Sequence, residues 1–326
     1  MTVTKHILVL HTGGTISMTE NSEGDIMPSQ HNPLLGADSF VPADVELTTE
    51  EIFNLPSPHM TPERMLELVK RIRQAEKEGS DGVVITHGTD TLEETAYFLD
   101  LTLDSAMPVV VTGAMRSSNE IGSDGLENLQ SAIKTAASDD SRNKGTLVVM
   151  NDEIHTARFV TKTHTTNVAT FRTPTFGPVG LVTKDGVRFF QELINQEICA
   201  IDHLVDKVFL IKAYAGMDGT LFDTLPEDTH GLTIEALGAG NLPPTTLPAI
   251  QRLLDRNIPI VLVSRCFNGV AQAVYNYEGG GVQLKKMGII FCQGLNGQKA
   301  RIKLQVGLSD GKQGQDLADF VDNAVS

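Results

Sequence analysis

Short, continuous apolar runs recur along the chain, and they are rich in β-branched residues. The runs are residues 7–10, 83–85, 109–111, 147–150, 208–211 and 260–263. Runs of this length without polar alternation are typical of strands that are buried on both faces of a parallel sheet. The pattern therefore predicts parallel strands at these positions, with a further candidate strand at residues 232–237.

Amphipathic helices are predicted between several of these runs. Thr61 and Pro62 have the character of an N-cap and a first helical residue, and Gly79 marks the end of that helix. The apolar positions with helical spacing are Met65, Leu68, Ile72 and Ala75, then Leu92, Ala96, Leu99 and Leu103, and finally Leu126, Leu129 and Ile133. Strands that alternate with helices predict βαβ units and a doubly wound, mostly parallel α/β sheet.

The same pattern divides the chain into a larger and a smaller α/β domain. The apolar pattern loosens over residues 161–190, and a fresh strand is predicted from residue 208. We expect an N-terminal domain at 1–190, a linker at 191–206 and a smaller C-terminal domain at 207–326, with helices near 247–254 and 315–325. The segment 17–35 is polar and has no clear period, so we expect a mobile loop there.

Charge and cysteine content restrict the partners and the compartment. The formal net charge is -15, which disfavours nucleic acid as a partner and leaves no basic patch for an anionic membrane. No segment approaches the ~20 apolar residues of a membrane span, and the first apolar run is too short for the core of a signal peptide. Cys199, Cys266 and Cys292 form no zinc or disulfide pattern. Free thiols fit a reducing compartment, so we expect a cytoplasmic protein.

Glycine and threonine follow the predicted strands of the first half at their carboxyl ends. Residues 11–16 read HTGGTI, residues 86–91 read THGTDT, residues 112–115 read TGAM, and residues 151–152 read ND. Ligands of open parallel sheets bind beyond the carboxyl ends of the strands, so these segments are expected to converge. Glycine lets backbone N–H groups approach a ligand, and a threonine hydroxyl becomes a nucleophile when a base activates it.

Each motif by itself also fits a purely structural role. Residues 11–16 fit an ordinary strand-to-loop turn, and they lack the features of a phosphate loop or a dinucleotide fingerprint. Asp90 with Glu93 has the spacing of a capping box, as does Thr91 three residues before another glutamate. Lys162 fits a solvated surface charge, or else a desolvated base among the hydroxyls around it. No histidine spacing suggests a metal site, so we predict no metal.

Taken together and in their order, the motifs resemble the bacterial-type L-asparaginases over nearly the whole chain. The motifs that carry the resemblance are TGGTI at 12–16, HGTDTLEETAYFL at 87–99, TGAMR at 112–116, VVMND at 148–152, TKT at 161–163 and GAGN at 238–241. The resemblance implies an amidohydrolase that converts L-asparagine to L-aspartate and ammonia with a threonine nucleophile and no cofactor. It also implies that the N-terminal domain is the catalytic one.

The resemblance further assigns roles to individual residues. Thr15 matches the nucleophile, and Thr89 matches a second catalytic threonine whose partners are Lys162 and Asp90. Thr89 and Asp90 also belong to the implied substrate site, where Asp90 takes the α-ammonium group. Ser57 matches the serine that contacts the α-carboxylate.

One further match concerns assembly. Asn241 matches a substrate-binding residue that family members often donate from the smaller domain of a neighbouring subunit. The resemblance therefore implies a homo-oligomer, a dimer of dimers, with a shared active site.

Three features depart from the family's pattern. Asp25 stands where many members have a loop tyrosine, for which Tyr275 is a candidate substitute, and Pro58 stands where glutamine or glutamate is common. The glutamate that supports the tyrosine has no match near residues 264–278. The main alternative is a broader amidase with glutaminase activity. The related subunit that supplies ammonia for tRNA amidation is disfavoured by the acidic composition, and a non-catalytic amino-acid sensor on the same fold is disfavoured because Thr15, Thr89, Asp90 and Lys162 are all present.

Overall fold

The computed structural model describes residues 4–28, 41–193 and 197–322. The chain divides into two compact units, Met1–Asn195 and Gln196–Ser326. Each unit is built from a sheet and packed helices, so the predicted α/β class with a larger first and a smaller second domain is confirmed. The described residues of segment 191–206 contain no helix or strand.

The main sheet of the first unit is parallel at its centre and antiparallel at one side. The strands of this unit are β1 Lys5–Gly13, β2 Met18–Glu20, β3 Ile26–Pro28, β4 Val45–Leu55, β5 Gly82–Thr86, β6 Val109–Thr112, β7 Thr146–Met150, β8 Glu153–Thr156, β9 Thr161–Lys162, β10 Phe171–Arg172, β11 Gly180–Thr183 and β12 Gly186–Phe189. Eight of them form one sheet in the order β12-β11-β8-β7-β6-β5-β1-β4. The pairs from β4 through β1, β5 and β6 to β7 are parallel, and β8, β11 and β12 continue the sheet in antiparallel pairs.

Helices cover both faces of this sheet. The helices are α1 Pro62–Lys77, α2 Leu92–Thr102 and α3 Gly125–Ala137. The helix α3 packs on the face that carries Ile7, Val84 and Val110. Val83 and Val109 are also fully buried, and they point to the opposite face because side chains alternate along a strand. The central strands are thus buried on both faces, which explains their uniformly apolar sequence.

Two details of the helices test the predicted pattern. The Thr61 side chain accepts a hydrogen bond from the backbone N–H of Arg64, which confirms the predicted N-cap of α1. Leu126, Leu129 and Ile133 were predicted to form the buried face of α3. This is right for Leu129 and Ile133, which are buried, but wrong for Leu126, which is 50% exposed. A helix that packs on one face of a sheet buries only that stripe, and Leu126 lies outside it.

The polar segment after β1 contains structure that the apolar pattern did not predict. β2 and β3 pair as an antiparallel hairpin, which occupies the described part of the segment 17–35. The rest of that predicted loop lies outside the described residues. β4 was also missed, because its sequence, VELTTEEIFNL, lacks a continuous apolar run and lies at the edge of the sheet.

The second unit has a smaller, fully parallel sheet. Its strands are β13 Val208–Lys212, β14 Gly231–Ala236, β15 Ile260–Ser264 and β16 Ile290–Phe291, paired in this order. Its helices are α4 Thr220–Asp223, α5 Leu247–Asp255, α6 Gly281–Lys286, α7 Gly297–Ser309 and α8 Gly314–Asp322. The predicted strands of this half and its two predicted helices are therefore present, although residues 323–326 lie outside the description. Among the described residues of the chain, no helix is both long and apolar enough to cross a membrane.

Candidate active site

Glycines bring the ends of neighbouring strands of the first unit into close contact. A Cβ atom at Gly14, after β1, would lie 2.2 Å from the Cα atom of Gly88, after β5. A Cβ atom at Gly88 would lie 2.8 Å from the hydroxyl oxygen of Ser57, and one at Gly113 would lie 3.3 Å from the methyl carbon of Thr89. These contacts leave no room for side chains at the three positions. Small residues are thus the reason that the predicted strand-end segments converge.

Buried polar side chains fix β1 against β5 just below these ends. The ring nitrogen Nδ1 of His11 lies 2.7 Å from the hydroxyl of Thr86, and the hydroxyl of Thr12 donates to the backbone carbonyl of Thr86 at 2.9 Å. Burial lowers the pKa of His11 to about 4, so its ring is neutral near pH 7. A neutral, hydrogen-bonded ring holds the two strands in register without a buried charge.

His87 ties the turn after β5 to helix α2. Its Nδ1 atom lies 2.7 Å from the carbonyl oxygen of Gly88, and its Nε2 atom lies 2.9 Å from the hydroxyl of Thr95. A carbonyl only accepts hydrogen bonds, so Nδ1 carries the proton and Nε2 accepts from the threonine hydroxyl. Burial lowers the pKa of His87 to about 4, against the smaller raising effect of the Gly88 carbonyl. The turn that carries Thr89 is therefore held by an uncharged ring.

A threonine, a lysine and an aspartate form a continuous hydrogen-bonded chain at this turn. The ammonium nitrogen of Lys162 donates to the hydroxyl oxygen of Thr89 at 2.9 Å and to Oδ1 of Asp90 at 2.7 Å. The Lys162 side chain is mostly buried, with 17% exposed, whereas the Asp90 side chain is 60% exposed. The structure thus brings three of the four predicted catalytic residues together, and the Asp90 carboxylate still faces solvent.

The fourth, Thr15, follows the glycine turn at the end of β1. It is the first residue of the short 3-10 helix Thr15–Ser17 and is partly buried. The next residue, Ile16, is buried in the core on the α3 face and anchors the turn. Gly14 and Gly88 are in backbone contact, so Thr15 and Thr89 follow two turns that touch each other.

Ser57 packs against the Gly88 turn and supports the start of helix α2. Its hydroxyl oxygen accepts from the backbone N–H of Asp90 at 3.2 Å, and its carbonyl accepts from the hydroxyl of Thr91 at 2.8 Å. Because Thr91 donates to Ser57 and makes no side-chain cap, the capping-box interpretation of this stretch is wrong. The Ser57 hydroxyl accepts with its oxygen, so its hydrogen remains available to donate to a ligand.

One residue of the site was not identified from the sequence. The buried carboxylate of Glu93 accepts from the Thr161 hydroxyl at 2.9 Å and from the Lys162 backbone N–H at 3.2 Å. The sequence pattern gave Glu93 only a capping role. Its link to Lys162 spans 69 residues of sequence, and no local pattern reports such a contact.

Three other positions were singled out from the sequence, namely Asn241, Asp25 and Pro58. Asn241 belongs to the second unit, where its side-chain oxygen accepts from the backbone N–H of Gly281 at 3.1 Å. Asp25 is exposed in the turn between β2 and β3, and its backbone N–H donates to the side-chain oxygen of Asn21. Pro58 is exposed next to Ser57.

Comparisons with known proteins match both halves of the chain to the same family. The family model described as Asparaginase, N-terminal, matches residues 6–195. The model described as Glutaminase/Asparaginase C-terminal domain matches residues 207–320.

Individual relatives match over nearly their whole length. An L-asparaginase of Bacillus licheniformis is 36% identical over 313 residues, which covers 95% of this chain and 97% of that protein. A probable L-asparaginase of Deinococcus radiodurans is 39% identical over 316 residues, which covers 95% of each chain. Among solved structures, a probable cytoplasmic L-asparaginase from Campylobacter jejuni has a TM-score of 0.85 and 34% identity, and the match covers 97% of this chain and 99% of that one.

Proposed function

Because this chain belongs to the asparaginase family, we propose that it hydrolyses L-asparagine to L-aspartate and ammonia. The observation that carries the proposal is the chain of hydrogen bonds from Thr89 through Lys162 to Asp90. Amide hydrolysis needs a nucleophile, a proton for the leaving nitrogen and donors for the developing oxyanion. Hydroxyls, an ammonium group and glycine-rich backbone supply these functions. The names of two relatives, an L-asparaginase and a probable L-asparaginase, support the choice of substrate.

In the first step the hydroxyl oxygen of Thr15 attacks the side-chain amide carbon. The carbon–nitrogen bond then breaks, and an ester forms between Thr15 and the β-carboxyl group of the substrate. The proton that leaves Thr15 ends on the departing ammonia, and the hydroxyl of Thr89 carries it between them. Lys162 supports this transfer because its ammonium group stabilises negative charge on the Thr89 oxygen.

In the second step water attacks the ester carbon. The bond to Thr15 breaks, a proton from the water returns to the Thr15 oxygen, and aspartate leaves. The same hydroxyl of Thr89, held by Lys162, orients the water. Thr15 and Thr89 thus both take part in each half of the reaction, and the protein ends in its starting state.

Substrate recognition rests on charge complementarity to a free amino acid. The exposed carboxylate of Asp90 binds the α-ammonium group, and the hydroxyl hydrogen of Ser57 donates to the α-carboxylate. Thr89, which precedes Asp90 in the chain, contacts the bound substrate as well. The side-chain nitrogen of Asn241 completes the set, because its oxygen is already held by a backbone N–H in the second unit.

The assembly and the compartment are part of the same proposal. Asn241 reaches the substrate from the second domain of a neighbouring copy, so the active enzyme is a homo-oligomer, a dimer of dimers. The N-terminal domain at 1–190 and the C-terminal domain at 207–326 act as two modules joined at 191–206. A cytoplasmic location is supported by the name of the Campylobacter jejuni protein.

Glutamine is the second candidate substrate. The matching C-terminal family model is described as Glutaminase/Asparaginase, and glutamine differs from asparagine by one methylene group. A pocket discriminates such homologues by only ~1–3 kcal/mol unless polar contacts are misplaced. The two amides therefore have to be compared side by side.

The test is ammonia release from L-asparagine and from L-glutamine by the wild type, Thr89→Val, Lys162→Met and the control Lys184→Met, whose lysine is exposed. We expect release from asparagine to dominate and kcat to fall by ~10²–10⁴-fold in the first two variants. The control should match the wild type. Absence of ammonia from both amides would refute the activity, and normal turnover by Thr89→Val would refute the assigned mechanism. Equal release from both amides would favour the broader amidase.

A further inference from the structure

The carboxylate of Glu93 holds the short segment that presents Lys162. Glu93 is 4% exposed, and one oxygen, Oε1, accepts both the hydroxyl of Thr161 at 2.9 Å and the backbone N–H of Lys162 at 3.2 Å. Both contacts are made by strand β9, which is two residues long. A strand this short makes few backbone bonds of its own, so its position depends on such side-chain contacts.

The strand pairing explains why an acceptor is needed on this side. The backbone N–H of Thr163 donates to the carbonyl of Thr170, which places the partner strand β10 on that side of β9. Neighbouring N–H groups along a strand point in opposite directions, so the N–H of Lys162 points away from β10. Glu93 Oε1 accepts from it there and takes the place that a strand carbonyl has in a sheet.

The residues at the start of α2 supply the hydrogen-bond acceptors for both the side chain and the backbone of Lys162. Thr89 and Asp90 come just before Thr91, the N-cap of α2, and Glu93 lies in the first turn of the helix. The two acceptors of the Lys162 ammonium group and the acceptor of its backbone N–H therefore lie within five consecutive residues, residues 89–93, at the start of α2. An anionic side chain in the first turn is also favoured by the helix dipole.

We propose that Glu93 is a positioning residue for the asparaginase reaction, and this inference rests on the proposed function. It fixes the backbone of Lys162 so that the long, flexible side chain meets Thr89 and Asp90 at hydrogen-bonding distance. Displacement of a catalytic group by about 1 Å costs up to ~10²-fold in rate. Glu93 acts as a hydrogen-bond acceptor, and its charge is not what the reaction requires.

This distinction sets the design of the experiment. Glutamine keeps the side-chain oxygen and loses the charge, so Glu93→Gln should keep both contacts. Glu93→Ala removes the acceptor, and Thr161→Val removes the hydroxyl that donates to it. The matched control is Glu127→Ala, which removes an exposed glutamate from the first turn of another helix.

We expect Glu93→Ala to lower kcat for asparagine by ~10–10²-fold while KM changes little, because substrate contacts remain. Thr161→Val should lower kcat to a smaller extent. Glu93→Gln should restore kcat to near the wild-type value with an unchanged pH profile. Thermal unfolding of each variant shows whether the loss of activity occurs in folded protein.

Three results would overturn the inference. Wild-type kcat in folded Glu93→Ala would show that the acceptor is not needed. An equal loss of kcat in Glu93→Gln and Glu93→Ala would show that the charge matters, and an effect confined to KM would place Glu93 in substrate binding. If Glu93→Ala does not fold, the kcat values of Glu93→Gln and Thr161→Val test the inference in its place. A wild type that releases no ammonia refutes the proposed function instead, so the two failures are separable.

Discussion

Gly14 and Gly88 touch through their backbones, because a Cβ atom at Gly14 would lie 2.2 Å from the Cα atom of Gly88. Gly14 also has a φ of +83°, a backbone conformation that residues other than glycine rarely adopt. Thr15 and Thr89 each follow one of these two glycines. The distance between the two threonines that we propose as catalytic is therefore set by a contact that no larger residue can make.

Replacement of Gly14 by alanine should separate the two turns and disable the site. We expect kcat to fall by ~10²-fold or more, because the added methyl group moves Thr15 relative to Thr89. Gly79→Ala is the matched control: Gly79 has a φ of +93°, but nothing lies within 4 Å of its added Cβ atom. The control should lose ~1–2 kcal/mol of stability through backbone strain and keep its activity. Equal activity in the two variants would contradict the steric explanation.

The buried histidines should make the fold sensitive to mild acid. Burial lowers the pKa of His11 and of His87 from 6.5 to about 4 in the folded state. Between pH 6.5 and about pH 4 each of these histidines is protonated in the unfolded chain but neutral in the folded one. The unfolded chain therefore binds more protons, and the free energy of unfolding falls as the pH falls. Each ring contributes ~1.4 kcal/mol per pH unit within that window.

The measurement is the free energy of unfolding by urea at pH 7 and at pH 5. His87→Gln removes one titrating group, so its loss of stability between these two pH values should be smaller than that of the wild type by about 2 kcal/mol. His59→Gln, at an exposed position, serves as the control and should follow the wild type. A His87→Gln variant with the full wild-type pH dependence would show that this ring is not held neutral.

Asn119 should fasten the β2–β3 hairpin, which directly follows the 3-10 helix Thr15–Ser17. Its side-chain oxygen accepts the N–H of Glu20 at 2.7 Å, and its side-chain nitrogen donates to the carbonyl of Glu20 at 2.8 Å. We expect Asn119→Ala to weaken local docking by ~1–3 kcal/mol and to speed amide exchange at Glu20. Gln74→Ala, which removes a surface hydrogen bond on α1, is the control. Unchanged exchange at Glu20 would show that other contacts hold the hairpin.

In the main sheet, the strands that were predicted from the sequence are buried on both faces. β5 and β7 are buried along their whole length, and their apolar runs report that burial directly. β4 is an edge strand with a mixed polar sequence, so its place in the sheet depends on pairing with β1. Pairing between distant segments leaves no local signal, and the strand was missed for that reason.

The same limit applies to the site. Thr15, Thr89 and Lys162 were predicted as site residues because they stand in recognisable motifs. The environment of Lys162 depends on Glu93, whose contact crosses 69 residues of sequence. A glutamate three residues after Asp90 fits a helix cap equally well, so only the folded chain shows which partner its carboxylate has.

The proposed sharing of the site between copies can be tested by complementation. If Asn241 reaches the site of a neighbouring chain, Thr89→Val and Asn241→Ala inactivate through different subunits. A hybrid oligomer of the two variants then contains some sites with Thr89 from one chain and Asn241 from the other, and these sites are intact.

Co-expression with two different tags allows hybrids to be purified, and light scattering gives their size. We expect each pure variant to be weakly active and the hybrid to regain a substantial fraction of wild-type kcat per intact site. A hybrid that is no more active than the average of its parents would place Thr89 and Asn241 in the site of one chain, and a monomeric active enzyme would contradict the assembly altogether.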